Sequence, residues 1–444
     1  MGVLEIGLLY FVVTLVLLFS GMPIAFALGA VALVFMYLFM PAVNLGIVAE
    51  TIYGELNNFT LLTIPMFILM GAAIGKSRAG ADLYDSAHRW LYRLPGGLGV
   101  ANVVGCAIFA AMCGSSPATA SAIGSTGIPE MRKRGYPAGL AAGLIAAGGT
   151  LGILIPPSLT LIIYGIATNQ SIGKLFLAGV GPGLLLTALF SLWVVIAFER
   201  AKKQALRGDS AQAGRELLRQ EHYTWRQRLE TLPRFAPFVL LIAIIMVALY
   251  GGWATASEVA GVGAFGALVM VLLVYRCYRW ADLRAILGGT ARESAMIMMI
   301  IAMAFLYTYV ASYLHITQSA AEWLVALPLS KWGYFFWINV FLVIVGFFLP
   351  PVAIIVMVTP IILPGLQAHG FDLVWYGIVM TVLMEMGLIH PPVGLNLFVI
   401  NGIAPDIPMR QIMWGVVPFI AIMVIAIALL AFFPGIAMWL PNLA

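Results

Sequence analysis

Long apolar runs separated by short polar segments make up most of this chain. A run of about 20 mostly apolar residues is long enough to cross a bilayer as a helix. The strands of a membrane barrel would instead be short and would alternate apolar with polar residues. The pattern therefore predicts an all-α polytopic membrane protein. Ten candidate spans lie near residues 4–20, 22–40, 59–75, 138–168, 175–198, 236–251, 258–276, 293–313, 373–400 and 411–434.

Two further apolar stretches, 97–130 and 333–364, are interrupted in the middle. Each is predicted to be a re-entrant helical hairpin that enters and leaves the membrane on the same face. The first interruption runs from Gly114 to Thr119, and we expect Ser116 to cap the returning helix, with Pro117 in its first turn. The second interruption is Leu349-Pro350-Pro351.

Composition removes the soluble alternatives. Only 9% of the 444 residues are charged and 62% are hydrophobic, whereas ordinary soluble domains have roughly 25% charged residues. This excludes a soluble multidomain protein, a disordered chain and a nucleic-acid-binding protein. Three cysteines, Cys106, Cys113 and Cys277, lie in apolar sequence, and we interpret them as unreactive thiols rather than a disulfide framework.

The basic residues indicate an orientation. When the predicted spans are threaded, 21 of the 23 Lys and Arg residues fall on one side, and only Lys174 and Lys331 fall on the other. That basic side is predicted to be cytoplasmic, which places both termini outside, in the periplasm. The most basic segment, 200–235, is predicted to be a solvated cytoplasmic connector with an amphipathic helix.

The chain also matches itself at an offset of 235. Pro129 pairs with Pro364 and Gly152 pairs with Gly387 at this offset. The threading gives the two copies opposite orientations, and inverted repeats with interrupted helices are typical of secondary transporters. The predicted divisions are a first repeat at 1–199 (hairpin 97–130, broken helix 138–168), the connector at 200–235, a second repeat at 236–434 (hairpin 333–364, broken helix 373–400) and a tail at 435–444.

Each copy contains a helix broken by tandem prolines. Pro156-Pro157 interrupts 138–168 and Pro391-Pro392 interrupts 373–400. Tandem prolines remove two amide donors and leave carbonyls unpaired one turn earlier. One such pair could be an ordinary kink. Two pairs in register, each matched with a hairpin tip, predict a binding site near the membrane midplane, where hydroxyl and carbonyl oxygens would suit Na⁺ and helix N-termini would favour an anion.

Few ionisable residues lie inside the predicted spans. Glu385 and His390 share one broken helix and are candidate coupling residues, although a helix cap or a hydrogen-bonded structural pair would also explain them. Glu258 follows Thr255 and is predicted to be part of a helix N-terminal cap. The sequence contains no nucleophile–base constellation, zinc-ligand spacing or phosphate loop, so we expect neither an enzyme nor a cofactor.

Two segments have an amphipathic pattern and are too polar to span, namely 81–94 and 318–327. They occupy equivalent positions in the two copies. They are either arms that hold a moving core against a fixed frame or ordinary interfacial connectors.

These motifs together resemble one known family. The segment GSSPATASAIGSTGIPEMRKRGYPAGLAAGLIAAGGTLGILIPPSLTLIIYG (114–165) resembles the signature region of the large membrane subunit, the DctM-like M subunit, of tripartite ATP-independent periplasmic (TRAP) transporters. GMPIAFALG (21–29), NNFTLLTIPMFILMG (57–71) and ATASEVAGVGA (254–264) are similar to other segments of that family. The resemblance covers essentially the whole chain.

The resemblance implies an elevator-type, Na⁺-coupled importer of organic acids in the bacterial inner membrane, with a scaffold and a mobile transport core. Substrates of the family include C4-dicarboxylates, sugar acids and keto acids. It implies a small membrane Q subunit of about four helices and a periplasmic substrate-binding protein as partners. A self-sufficient Na⁺-coupled anion transporter of the wider ion transporter superfamily is the main alternative, followed by an intramembrane enzyme using Glu385 and His390 and by an ion channel.

Site residues follow from the same resemblance, and the second sodium site rests on the repeat. They are Ser115, Pro117, Gly152, Ile155 and Pro156 for one sodium ion; Leu349, Pro350, Pro351, Gly387, His390 and Pro391 for a second sodium ion; and Ser116, Thr119, Ser158 and Asn396 for the substrate.

Overall fold

The computed structural model describes residues 2–41, 46–207, 223–391 and 394–443. All regular secondary structure in these ranges is helical, which confirms the predicted all-α class. The helices up to the connector are α1 Val3–Phe19, α2 Ile24–Phe39, α3 Ile47–Leu56, α4 Thr63–Lys76, α5 Ala79–Leu91, α6 Gly97–Cys113, α7 Ser116–Lys133, α8 Ala138–Thr150, α9 Leu159–Thr168 and α10 Ile172–Arg207.

The second half of the chain repeats this order of helices. Its members are α11 Trp225–Leu229, α12 Leu232–Tyr250, α13 Ala256–Leu273, α14 Trp280–Tyr313, α15 Ile316–Ala326, α16 Lys331–Gly346, α17 Pro351–Ala368, α18 Leu373–Ile389, α19 Leu395–Ile403, α20 Met409–Phe432 and α21 Gly435–Met438.

The offset of 235 found in the sequence also relates helix boundaries. The returning hairpin helices α7 and α17 begin at Ser116 and Pro351, and the first halves of the broken helices begin at Ala138 and Leu373. The turns between them contain Gly135 and Gly370, with φ of 76° and 67°. This left-handed conformation is one that glycine adopts readily, so the repeated glycines serve the same turn in both copies.

Local sequence explains individual boundaries. At the start of α13 the Thr255 hydroxyl accepts a hydrogen bond from the Glu258 amide at 3.4 Å, and the Glu258 carboxylate accepts one from the Thr255 amide at 2.7 Å. This reciprocal pair is a capping box, which confirms the predicted role of Glu258. At the first hairpin, α7 begins at Ser116, so the cap residue is Ser115 rather than Ser116, while Pro117 lies in the first turn as predicted.

The predicted spans correspond to helices, with several differences in length. By length and composition alone, six helical stretches of the described residues could cross a membrane: Phe59–Lys76, Ile172–Gln204, Ala256–Leu273, Trp280–Tyr313, Pro351–Ala368 and Met409–Phe432. The span at 175–198 continues as helix to Arg207, and that at 293–313 begins already at Trp280. The predicted connector therefore starts as helix, and its residues 208–222 lie outside the described ranges.

The helices pack as two groups joined by two amphipathic helices. In one group, which we call the frame, α2 and α4 pack against α13 and α14. In the other, the core, the hairpins and broken helices pack together with α10 and α20. Of the amphipathic helices, α5 contacts α6 of the core and α12 beside the frame, and α15 contacts α17 of the core and α1 and α14 on the other side.

Candidate functional site

Each hairpin lies against the broken helix of its own repeat. A Cβ atom added to Gly152 would lie 2.7 Å from the Ser115 carbonyl oxygen, and one added to Gly387 would lie 2.5 Å from the Gly346 carbonyl oxygen. Real Cβ atoms do not approach backbone so closely, so only glycine permits these contacts. The glycine pair found at offset 235 thus has one structural purpose: it lets a break and a hairpin meet backbone to backbone.

The first tip is a short turn held by its own hydrogen bonds. Gly114 has a φ of 59° and lies against the Pro157 carbonyl oxygen. The Ser115 carbonyl oxygen accepts hydrogen bonds from the Thr119 amide at 3.1 Å and the Thr119 hydroxyl at 2.9 Å. The Ser115 side chain makes no capping hydrogen bond, although it occupies the cap position of α7. Its hydroxyl therefore remains available to a ligand.

The first break separates α8 from α9. A short 3₁₀ turn over Leu151–Ile153 follows α8, and Pro156 and Pro157 lie between that turn and α9. Ser158 caps α9: its hydroxyl donates to the Ile153 carbonyl oxygen and accepts from the Leu161 amide at 3.3 Å. A serine thus satisfies one of the carbonyls that the break exposes. Ile155 packs close to Gly183 of α10, and Pro156 packs close to Gly179 of the same helix. These contacts fix the position of the break within the core.

The second tip and the second break contact each other through two rings. The His390 ring stacks on Phe347 with centroids 4.0 Å apart and planes 16° apart, and Nδ1 of His390 contacts the Pro391 carbonyl oxygen. Leu349 is buried, and Pro350 caps the returning helix α17 ahead of Pro351. Pro392 of the predicted tandem pair lies outside the described residues.

Asn396 connects the two repeats. Its Nδ2 donates to the Ser116 hydroxyl at 2.8 Å and to the Ala146 carbonyl oxygen at 3.0 Å, so it joins α19 to α7 and α8. The packing is reciprocal, because α19 lies on α7 while α9 lies on α17. Each returning hairpin helix therefore contacts the broken helix of the other repeat, and the two tips are brought into one central region.

The four predicted substrate residues lie at this crossing. Ser116 and Asn396 are hydrogen-bonded to each other, Thr119 bonds to the tip at Ser115, and Ser158 caps α9. All four are fully buried, with 0% of their surface exposed. Thr119, Ser158 and Asn396 donate to groups of the protein, and the Ser116 hydroxyl accepts from Asn396. Any part of these residues in substrate recognition stays a prediction. The Oδ1 atom of Asn396 has no hydrogen-bond partner among the described residues.

Glu385 lies one turn before the second break and is completely buried. Neither carboxylate oxygen has a hydrogen-bond partner within the described part of the chain. His390, the other candidate coupling residue, contacts Pro391 and Phe347 instead. Glu385 and His390 are therefore not hydrogen-bonded to each other, whereas His390 is the C-cap residue of α18, in keeping with the helix-cap alternative. A buried carboxyl group without a partner is costly in a membrane interior, which keeps Glu385 a candidate for cation coupling.

A cavity of about 370 Å³ lies between the frame and the first hairpin. Helices α4 and α14 form one wall, and α7 with the tip residue Ser115 forms the other. Its polar lining consists of Ser115, Ser121, Ser125, Lys76 and Glu293. Of the predicted site residues, Ser115 alone lines it. Sequence reasoning did not single out Glu293, although an acidic residue at the edge of an apolar span was a signal that could have found it.

Comparison with known proteins gives one family. A sequence profile described as "Tripartite ATP-independent periplasmic transporter, DctM component" matches residues 11–436. The chain is 37% identical, over 89% of its length and 89% of the relative, to the C4-dicarboxylate TRAP transporter large permease protein DctM of Pseudomonas aeruginosa. It is 30% identical to the sialic acid TRAP transporter large permease protein SiaM of Vibrio cholerae, covering 96% of each chain.

Two further matches concern chain length and fold. The isethionate TRAP transporter permease protein DctMQ of Oleidesulfovibrio alaskensis is 34% identical over 97% of this chain, which covers 65% of that longer protein. Among solved structures, the YdaH transporter of Alcanivorax borkumensis matches with a TM-score of 0.62 at 13% identity, covering 96% of this chain and 99% of that one. At this identity the likeness shows the fold alone.

Proposed function

Because this chain belongs to the DctM component family of tripartite ATP-independent periplasmic transporters, we propose that it is the large permease subunit of a Na⁺-coupled importer of organic acids. The substrate class is supported by the names of its relatives, which include permeases for C4-dicarboxylates and sialic acid. The proposed location is the bacterial inner membrane, with both termini in the periplasm.

The observation that carries this proposal is the meeting of each hairpin with a broken helix in one buried region. Hydroxyl and carbonyl oxygens concentrate there, and charged side chains are scarce. Such a set of hard oxygen donors suits Na⁺, which binds oxygen without requiring a thiolate or an imidazole. At the first site the Ser115 hydroxyl, unused by the helix cap, would contribute one donor beside Gly152 and the break at Ile155 and Pro156, with Pro117 opening the returning helix.

The second proposed sodium site lies between Gly387 and the hairpin that ends at Leu349. Its ligands would be backbone carbonyls, since Pro350 and Pro351 at the tip offer no hydroxyl. Pro391 and His390 lie at the same break. Glu385, one turn away, would supply negative charge to a cation entering this half of the core.

The proposed transport mechanism is an elevator movement of the core along the frame. The two amphipathic helices α5 and α15 each contact both groups, so they would act as the arms that permit this movement. The substrate anion would be held near Ser116, Thr119, Ser158 and Asn396, close to helix N-termini whose dipoles favour negative charge.

The proposed partners are a small membrane subunit and a soluble binding protein. The isethionate relative is a longer permease named DctMQ, which supports a separate Q-type subunit of about four helices for this chain. The periplasmic binding protein would capture the organic acid and deliver it to the outer face.

Uptake into proteoliposomes tests the proposal. We expect organic acid uptake only when the chain, its small membrane partner and the binding protein are combined and an inward Na⁺ gradient is imposed. Uptake by the chain alone, with no soluble partner, would instead establish the alternative of a self-sufficient Na⁺-coupled anion transporter. Uptake that continues without Na⁺ would disprove the coupling.

A further inference from the structure

The cavity between the frame and the first hairpin has charges of opposite sign at its two ends. Lys76 is the last residue of α4 and Ala285 lies near the start of α14, and both line one end of the cavity. This end adjoins the basic segments that predict the cytoplasmic face. We therefore call it the mouth of the cavity.

Glu293 lies further from that face and is also exposed; we call this the inner end. Glu293 is eight residues from Ala285 along α14, which at 1.5 Å per residue places it about 12 Å deeper. Ile68 of α4 and Ser115 at the hairpin tip line the same end. Cys113, the residue that ends α6 beside the tip, also lines the cavity. Glu293 of the frame and the tip of the first hairpin thus line one cavity.

Neither Glu293 nor Lys76 forms a salt bridge within the described ranges, whereas six other ion pairs form among the described residues. The remaining polar groups of the lining are the hydroxyls of Ser115, Ser121 and Ser125. An anion inside this cavity would be repelled by Glu293 and attracted by Lys76, and both forces point from the tip to the mouth.

We propose that Glu293 and Lys76 form an electrostatic release path that drives an organic anion from the first hairpin tip to the cytoplasm. This inference rests on the proposed function for the direction and the cargo of transport. Glu293 belongs to the frame and Ser115 to the core, so the carboxylate faces the tip only while the core occupies the position seen in this structure. Repulsion by Glu293 would therefore act only in this position of the core. It would lower the affinity of the core for the anion when the anion is released, and it would leave the affinity unchanged when the anion is taken up.

Charged thiol reagents can measure this field without any substrate. The full chain, co-expressed with its membrane partner, is placed in inside-out vesicles after Cys106, Cys113 and Cys277 are replaced by alanine. Ala118→Cys then reports on the inner end and Ser125→Cys on the mouth, both of them positions that line the cavity. Each cysteine is modified once with the anionic sulfonatoethyl methanethiosulfonate and once with the cationic trimethylammonioethyl methanethiosulfonate. The readout is the rate with the anionic reagent divided by the rate with the cationic reagent.

Glu293→Gln should raise this anion-to-cation ratio at Ala118→Cys about tenfold, with a smaller rise at Ser125→Cys. Lys76→Gln should lower the ratio, and more at Ser125→Cys than at Ala118→Cys. Glu55→Gln is the matched control, because Glu55 is an exposed carboxylate on α3 outside the cavity, and it should leave both ratios unchanged. If Ala118→Cys does not yield folded protein, Ser121→Cys replaces it as the inner reporter.

An unchanged ratio at the inner reporter in Glu293→Gln would overturn the proposal, as would an equal rise at both reporters. Modification only from the opposite face of the membrane would also overturn it, because the path would then not lead to the cytoplasm. These outcomes require neither Na⁺ nor the binding protein. A failure of the proposed function, seen as absent uptake, is therefore distinguishable from a failure of the release path.

Discussion

At the scale of single residues, Ser115 is the side chain with the clearest expected effect on ion coupling. Its hydroxyl makes no capping bond, so Ser115→Ala removes the proposed ion ligand without removing a capping hydrogen bond. We expect normal folding, measured as thermal unfolding in detergent, and a several-fold rise in the Na⁺ concentration for half-maximal uptake. Ser20→Ala, at an exposed serine after α1, is the control. Unaltered Na⁺ dependence in Ser115→Ala would remove Ser115 from the site.

Asn396 has a structural role that its burial makes costly to lose. Asn396→Ala would leave the Ser116 hydroxyl and the Ala146 carbonyl oxygen without their donor. A buried polar group left unpaired costs about 1–3 kcal/mol, so we expect a lower thermal unfolding midpoint as well as reduced uptake. Asn57→Ala, at an exposed position after α3, should change neither. Reduced uptake with an unchanged unfolding midpoint would mean that Asn396 binds substrate and does not support the fold.

At the scale of helices and turns, the contact between each break and its hairpin depends on one glycine. Gly152→Ala and Gly387→Ala would place a methyl group within 2.7 Å and 2.5 Å of a carbonyl oxygen. We expect both to separate the break from the hairpin and to reduce uptake at least about tenfold. Gly261→Ala is the matched control in α13, because a Cβ there meets nothing within 4 Å. It should stabilise the helix slightly. Wild-type uptake in Gly387→Ala would refute the close contact at the second site.

Some of these structural features could be predicted from the sequence and others could not. The offset of 235 predicted where α8 and α18 are broken, because proline and glycine impose local backbone limits that do not depend on tertiary context. The resemblance grouped Asn396 with Ser116 in one predicted site, but their hydrogen bond and the bond to the Ala146 carbonyl oxygen could not be predicted, since they depend on how α19 packs on α7 and α8. Glu293 was missed for the same reason: its position opposite Ser115 depends on how α14 packs beside the first hairpin.

At the scale of the whole molecule, the cavity lies at the boundary between the core and the frame. The proposed movement would take place across the same boundary. The cavity lies on the side that the basic residues predict to be cytoplasmic. Its lining residues belong to the frame on one side and to the core on the other. Glu293 of the frame and Ser115 of the core tip both line it. In the proposed movement, the face to which the site opens would therefore depend on the packing between the two groups of helices as well as on the binding residues.

A cross-link between frame and core tests whether that packing must change during transport. Gly71 of α4 lies against Cys113 of the first hairpin, and a Cβ added at Gly71 would be 3.3 Å from that of Cys113. Disulfides join Cβ atoms about 3.5–4.5 Å apart. A Cβ at Gly71 would also lie 2.7 Å from the Cys113 carbonyl oxygen, so α4 and the hairpin must move apart before Gly71→Cys can pair with the native thiol, and the substitution itself lowers uptake. We expect oxidation to stop the remaining uptake and reduction to restore it to the level of Gly71→Ala. Gly71→Ala controls for the added methyl group, and Gly75→Cys, where a Cβ meets nothing within 4 Å, controls for the oxidant. Full uptake in the cross-linked protein would show that α4 and the first hairpin move together, and the elevator movement would then have to occur across a different boundary.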